Sequence, residues 1–152
     1  MLGLTVFEFI ARGIPEAFAL MLGMHALSNL RIEIKKYIIS SLLFAVYVYF
    51  ERMLPINYGV HTILDIFVMI IIICSINKAD IILAIKASLI STIGLFIFEG
   101  LNILVLKLIF KDGFETIMLN ITLKTVYGLP SLICFTLITI IYYVKKGIFR
   151  YV

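Results

Sequence analysis

The sequence predicts an all-α fold, a polytopic membrane helix bundle with about five transmembrane helices and an interfacial helix before the last of them. Hydrophobic residues make up 63% of the 152 positions and charged residues 14%, whereas soluble domains are about half apolar and about a quarter charged. The mean hydropathy is +1.17, and the apolar residues form runs of the length that a bilayer requires. A chain of this length predicts one integral membrane domain, residues 1–152.

Five apolar runs are long enough for a helix that crosses a bilayer, which needs about twenty residues. They cover residues 4–27, 37–54, 59–76, 81–106 and 125–144. Turn-forming residues between Pro55 and Gly59 separate the second run from the third. The short link at 75–80 predicts a tight antiparallel hairpin between the third and fourth spans.

The region before the last run is more polar than the runs themselves. Lys111, Asp112 and Gly113 end the fourth span, and Glu115 and Asn120 interrupt the segment that follows. We expect an interfacial helix from Phe114 to Leu123 that leads into the last span. The alternative is one long tilted helix that begins at Glu115.

The distribution of basic residues predicts the orientation, because cytoplasmic loops of membrane proteins carry an excess of Lys and Arg. One set of alternate loops holds Arg31, Lys35, Lys36, Lys78, Lys86, Lys145, Lys146 and Arg150. The other set holds only Arg52, Lys107 and Lys111, and the remaining two of the thirteen basic residues, Arg12 and Lys124, lie within or beside spans. The sequence therefore predicts a cell-membrane protein with its N-terminus outside and its C-terminus in the cytoplasm.

The first span contains three ionisable residues, Glu8, Arg12 and Glu16, four positions apart. This spacing places them on one face of a helix, where Arg12 can pair with either acid. A charged side chain within a bilayer costs a few kcal/mol even on the lenient insertion scales, so it normally faces protein, water or an opposite charge.

Polar residues of the other spans lie at similar depths. Arg52 ends the second span, His61 and Asp65 share a face of the third, and Glu99 and Asn102 lie one turn apart on the fourth. Counted at about 1.5 Å per residue from the span ends, the polar groups converge on the outer half of the bundle.

Two interpretations of this convergence remain open. In one, the acids Glu8, Asp65 and Glu99 line a pocket that opens outward and meets a cationic ligand, a proton or a charged partner helix. In the other, the charges form a structural network that fixes helix packing. In that network Asp65 pairs with Arg52 or His61, and Glu99 pairs with Lys124 or Asn102.

The sequence lacks the motifs of common catalytic and metal sites. It has no phosphate-binding glycine loop, no HExxH and no GxSxG. Cys74 and Cys134 lie inside apolar runs and belong to no CxxC pair, so they are expected to be small buried hydrophobes. We therefore expect no catalytic residue, no metal and no cofactor. The scattered basic residues also give no nucleic-acid signal.

Two strings are the most distinctive in the chain, EFIARGIPE at 8–16 and LPINYGVH at 54–61. With its short-looped apolar spans and its Ile-, Lys- and Phe-rich usage, the chain resembles the membrane sensor region of Agr-type receptor histidine kinases of low-GC Gram-positive bacteria. Those regions bind signal peptides from outside and continue into a phosphoacceptor helix and an ATP-binding domain, which this sequence does not contain. The resemblance implies a bacterial relative without a kinase, which acts through a partner.

Two functional hypotheses follow. The first is a non-catalytic sensor or regulatory subunit that binds an external ligand or a membrane partner and passes the change to a protein partner or a second copy. The second is a small transport component, such as the substrate-binding subunit of a multi-protein transporter. In both, the lipid bilayer is the surrounding medium.

Overall fold

A computed structural model describes residues 6–28 and 30–146, and these residues form helices without any β-strand. Residues 4 and 5 of the first predicted span and Arg150 of the predicted cytoplasmic set lie outside the described residues. The helices are α1 at 6–27, α2 Ile34–Glu51, α3 Tyr58–Ile76, α4 Ile81–Phe110, α5 Phe114–Leu119 and α6 Ile121–Lys145. A 3₁₀ turn, Lys111–Gly113, joins α4 to α5.

Helix α1 consists of three consecutive segments, Val6–Glu8, a π-helical turn Phe9–Gly13, and Ile14–Leu27. Proline explains the π turn. Pro15 has no N–H to donate to the carbonyl four residues earlier, and its ring crowds that carbonyl. The N–H of Ile14 instead bonds to the carbonyl of Phe9, five residues earlier, which is the wider π pattern.

Helix α2 begins and ends three residues before the predicted 37–54. Its C-terminus is set by Pro55, because the residue before a proline avoids the helical region. Arg52 to Leu54 therefore form a turn, and Glu51 becomes the last residue of the helix.

The short helix predicted before the last span is present, but it ends at Leu119 rather than Leu123. Asn120 has an extended backbone and its side-chain oxygen accepts from the N–H of Thr122 at 3.0 Å. This is an N-cap, which starts α6 as a new helix. The single long helix from Glu115 is therefore not formed.

Helix α1 is the centre of the bundle. It contacts α2, α4 and α6, and α3 more lightly, while α2 packs on α3, α3 on α4 and α4 on α6. Small and flexible apolar side chains fill its second half, where Ala17, Ala19, Met21 and Met24 are buried. Gly23 allows close approach of α4, since a Cβ there would lie 2.6 Å from the Oγ of Ser91.

Within the described ranges, three helical stretches are long and apolar enough to cross a membrane: Gly59–Ile76, Ile81–Leu119 and Thr122–Lys145. Large apolar side chains are exposed along their outward faces, which fits contact with lipid. Helices α1 and α2 each carry three charged residues, and α1 is shielded by its neighbours.

Candidate functional site

Seven ionisable side chains from four helices gather at one end of the bundle, which we call the charged end. They are Arg12 and Glu16 of α1, Glu51 at the end of α2, Arg52 directly after it, His61 and Asp65 of α3, and Glu99 of α4. Four carboxyl groups thus face two guanidinium groups and one imidazole.

Arg12 joins three helices. Its guanidinium donates to the carboxylate of Glu99 on α4, and its Nε lies 3.7 Å from Oε2 of Glu16 one turn along α1. On α6, the guanidinium occupies space that any side chain at Gly128 would need, because a Cβ there would lie 2.7 Å from Nη1 of Arg12. The π turn at Phe9–Gly13 contains Arg12, so the widened backbone sets the direction of this side chain.

Glu16 continues the network from α1 to the end of α2. Its Oε1 lies 3.7 Å from Nη2 of Arg52, while its Oε2 faces Arg12. Glu16 is thus placed between two positive groups, and its side chain is only 16% exposed.

Glu51 is the most buried acid of the charged end. The residue is 3% exposed, and its Oε1 lies 3.4 Å from Nδ1 of His61. Asp65, one turn after His61, faces the Glu51 carboxyl, and Tyr47 lies beside the same group. Both carboxylate oxygens of Glu51 and Oδ1 of Asp65 are buried, and the groups around Glu51 are the Asp65 carboxyl, the Tyr47 hydroxyl and the His61 ring.

The charges at this end do not balance. Four carboxylates and two guanidiniums sum to −2 with a neutral imidazole, and to −1 with a protonated one. Two carboxyl groups that face each other repel, and an added positive group offsets that repulsion. The arrangement can therefore take up a cation.

The structure brings together six of the eight residues predicted for the polar site. The predicted pair of Arg12 with Glu16 is confirmed. Glu8 lies one turn before Arg12 and is half-buried. Asn102 is not part of the charged end; its Nδ2 donates to the carbonyl of Tyr127 at 2.7 Å and ties α4 to α6.

The predicted pairing of Glu99 with Lys124 or Asn102 is wrong, because Glu99 binds Arg12 and Lys124 is exposed. Asp65 lies near Arg52, which is one of its two predicted partners, but His61 and Arg52 also have acidic neighbours that the sequence did not predict. His61 lies against Glu51 and Arg52 lies against Glu16. Cys134 is exposed rather than buried, because it lies on the outward face of α6.

Sequence reasoning missed Glu51. Glu51 and Arg52 together resemble an ordinary pair of charged residues at the end of a span. However, α2 ends earlier than predicted and keeps Glu51 inside the bundle. Its position one turn after Tyr47 is a signal that could have placed it on the inward face of α2.

A second polar group lies at the opposite end of α1, which we call the neutral end. His25 is fully buried, its Nδ1–H donates to the carbonyl of Met21 at 2.7 Å, and its Nε2 accepts from the amide of Asn77. Tyr37 packs edge-on against the His25 ring, with centroids 5.5 Å apart, and donates to the carbonyl of Phe18 at 2.7 Å. No charge is involved.

In the part of the chain that is described, no group of three or more His, Cys, Asp and Glu side chains has the arrangement of a metal site. No protein-family model matches the chain, and neither does a curated protein or a solved structure.

Proposed function

We propose that this chain is a non-catalytic multi-pass membrane protein that acts as a sensor or regulatory subunit, with the charged end as its binding element. One observation carries the proposal. The carboxyl groups of Glu51 and Asp65 face each other in a buried position. A network that only holds helices together gains nothing from two acids side by side, because like charges repel each other.

The chemistry of the charged end favours a positively charged ligand group. Arg12 and Arg52 neutralise Glu16 and Glu99, so the remaining acidity belongs to Glu51 and Asp65. An ammonium or guanidinium group supplies a positive charge and several hydrogen-bond donors to both carboxyl groups. The same group can come from an external ligand or from a basic side chain of a membrane partner.

The proposed topology has five spans, with α1 and α2 crossing beside the three more apolar helices. Charges on α1 are compatible with a span because that helix lies at the centre of the bundle, where they face protein. The excess of Lys and Arg in one set of loops favours a topology with the N-terminus outside a bacterial cell membrane and the C-terminus in the cytoplasm.

Cysteine labelling tests this topology. After replacement of Cys74 and Cys134, single cysteines at the exposed positions Arg31, Asn57 and Lys146 are tested with an impermeant reagent. Arg31 and Lys146 should react from one side of the membrane and Asn57 from the other. Labelling of the Arg31 and Asn57 positions from the same side would show that α2 does not cross and would overturn the five-span arrangement.

Ligand binding is tested by thermal unfolding of the detergent-solubilised chain with two cationic probes, spermidine and arginine amide. The wild type should be stabilised by at least one probe, and Asp65→Asn and Glu51→Gln should each remove that shift while leaving the protein folded. The matched controls are Asp112→Asn and Glu115→Gln, which change the same chemical groups at exposed positions. If the control variants lose the probe-induced stabilisation equally, the effect comes from general surface charge, which would contradict the proposal.

The alternative is a small transport component whose acidic group holds a cationic solute. The same excess of carboxylates favours it. Purification in mild detergent separates the two functions, because a sensor should retain a second copy or a kinase partner. A transport component should retain an ATPase-linked protein instead.

A further inference from the structure

A groove on the side of the bundle is independent of the charged end. It has a volume of about 280 Å³ and lies between α2 and α6, which do not pack on each other along their described lengths, so that α1 forms its base. Its lining includes Pro15, Phe18 and Ala19 of α1, Tyr37 of α2, and Ile133 and Leu137 of α6. The surface of the groove is almost entirely apolar.

One end of this groove leads to a cluster of basic residues. The backbone N–H of Ile32 donates to the hydroxyl of Tyr143 at 3.2 Å, which holds the segment before α2 against the end of α6. The basic residues of these two segments are Arg31, Lys35, Lys36, Lys145 and Lys146. Glu33 is the acid described there, and it pairs with Lys36 at 3.1 Å.

The apolar groove and the basic cluster are close enough for one molecule to contact both. Tyr37 lies two residues from Lys35 on α2. On α6, Leu137 lies eight residues before Lys145, or about 12 Å along the helix axis. An apolar chain in the groove therefore ends close to the cluster of positive charge.

We propose that the lateral groove binds one acyl chain of an anionic phospholipid, whose phosphate is held by Lys35, Lys145 and Arg31. Charge complementarity favours an anionic over a zwitterionic headgroup. The apolar lining of the groove, with a basic cluster at one end, suits a molecule that has an apolar chain and an anionic head.

The test uses the purified full chain in a mild maltoside detergent, with thermal unfolding and native mass spectrometry as readouts. The probes are dioleoylphosphatidylglycerol, dioleoylphosphatidylcholine with the same acyl chains, and inorganic phosphate. Phosphatidylglycerol should raise the unfolding midpoint and remain bound as one molecule per chain. Phosphatidylcholine should have a smaller effect, and phosphate alone should have almost none.

Two pairs of variants locate the site. Lys35→Gln with Lys145→Gln should weaken phosphatidylglycerol binding roughly thirtyfold, at about fivefold per basic residue. Lys78→Gln with Lys86→Gln removes the same charge from the link before α4 and from the second turn of α4, and should leave the affinity unchanged. Ile133→Trp fills the groove from an exposed position and should abolish the lipid shift, whereas Ile138→Trp, also exposed but outside the lining, should preserve it.

Several results would overturn the proposal. These are equal stabilisation by the two lipids, equal loss in the two lysine pairs, and equal loss in the two tryptophan variants. A dimer that is dispersed by Ile133→Trp and is indifferent to phosphatidylglycerol would assign the groove to a second copy instead. If Ile133→Trp does not fold, the lipid comparison and the lysine pairs decide the question.

Discussion

The charged end and the neutral end both bury polar side chains of α1, but their hydrogen bonding and charge differ. At the neutral end, both ring nitrogens of His25 have partners, Oδ1 of Asn77 is buried without a described partner, and no formal charge is present. At the charged end, Arg12 and Arg52 each contact an acid, while the buried carboxyl groups of Glu51 and Asp65 face each other. The two ends therefore differ in charge, and the charged end has an excess of acids that favours a positive group.

The difference also concerns what each end holds together. Asn77 and His25 join the ends of α3 and α1 through amide and imidazole groups. Arg12 joins α1 to α4 and lies against α6, so one side chain organises several helices. The losses of stability caused by variants at the two ends should thus differ in magnitude and in salt dependence. The variants should also differ in their response to cationic probes.

The largest loss is expected from Arg12→Ala, which leaves Glu16 and Glu99 without their shared partner. A fully buried pair broken on one side costs about 3–5 kcal/mol. Because the Arg12 side chain is 27% exposed, we expect roughly 2–3 kcal/mol in thermal or denaturant unfolding in detergent. Adding Glu99→Gln should recover part of the loss. Exposed Arg31→Ala is the control, and wild-type stability in Arg12→Ala would contradict the network.

The next effect is expected from His25→Ala at the neutral end. It removes a fully buried ring and leaves the Asn77 amide without an acceptor, at a cost of about 2 kcal/mol. Adding Asn77→Ala should cost little more, since both partners are then gone. The loss should be the same at low and high salt. A salt-dependent loss would mean that His25 carries a charge, which would remove the distinction between the two ends.

A smaller effect is expected from Gly128→Ala. The new methyl group would lie 2.7 Å from Nη1 of Arg12, so the guanidinium must move away from its acids. We expect a loss of about 1 kcal/mol, within the usual range for a single substitution. Gly100→Ala is the matched control, because a Cβ there meets nothing within 4 Å. The Gly128→Ala loss should vanish in the Arg12→Ala background, and persistence there would assign it to backbone packing.

The smallest effect on stability is expected from Glu51→Gln. The amide carries no charge and can donate to Asp65, so the free energy of unfolding should change by less than about 1 kcal/mol, with a gain as the favoured sign. Exposed Glu115→Gln is the control for unfolding measurements. A loss of several kcal/mol would show that Glu51 and His61 form an ion pair that the fold needs. The charged end would then be a structural contact, like the neutral end.

The positions of the helices and several of their ends could be predicted from the sequence. The third apolar run, predicted at 59–76, corresponds to helix Tyr58–Ile76, and the fourth and last runs correspond to α4 and α6 with ends shifted by a few residues. Asn120 and Pro55 act within a few residues of their own positions, so helix ends near them follow from turn and capping chemistry.

The pairs of ionisable residues at the charged end were harder to predict from the sequence. Four-residue spacing predicts Arg12 with Glu16, because both lie on one helix. The contact of Arg12 with Glu99 joins residues 87 positions apart. The facing of Glu51 and Asp65 depends on where α2 ends and on how it packs against α3.

Hydropathy and residue spacing alone predict apolar helices that carry ionisable residues, since both are properties of neighbouring residues. The central position of α1, the contact of Arg12 with Glu99 and the burial of Glu51 beside Asp65 arise from helix packing, because a charge pair depends on which faces of two helices meet. Helix packing settles that through close contacts such as Gly23 against Ser91, which no local pattern encodes.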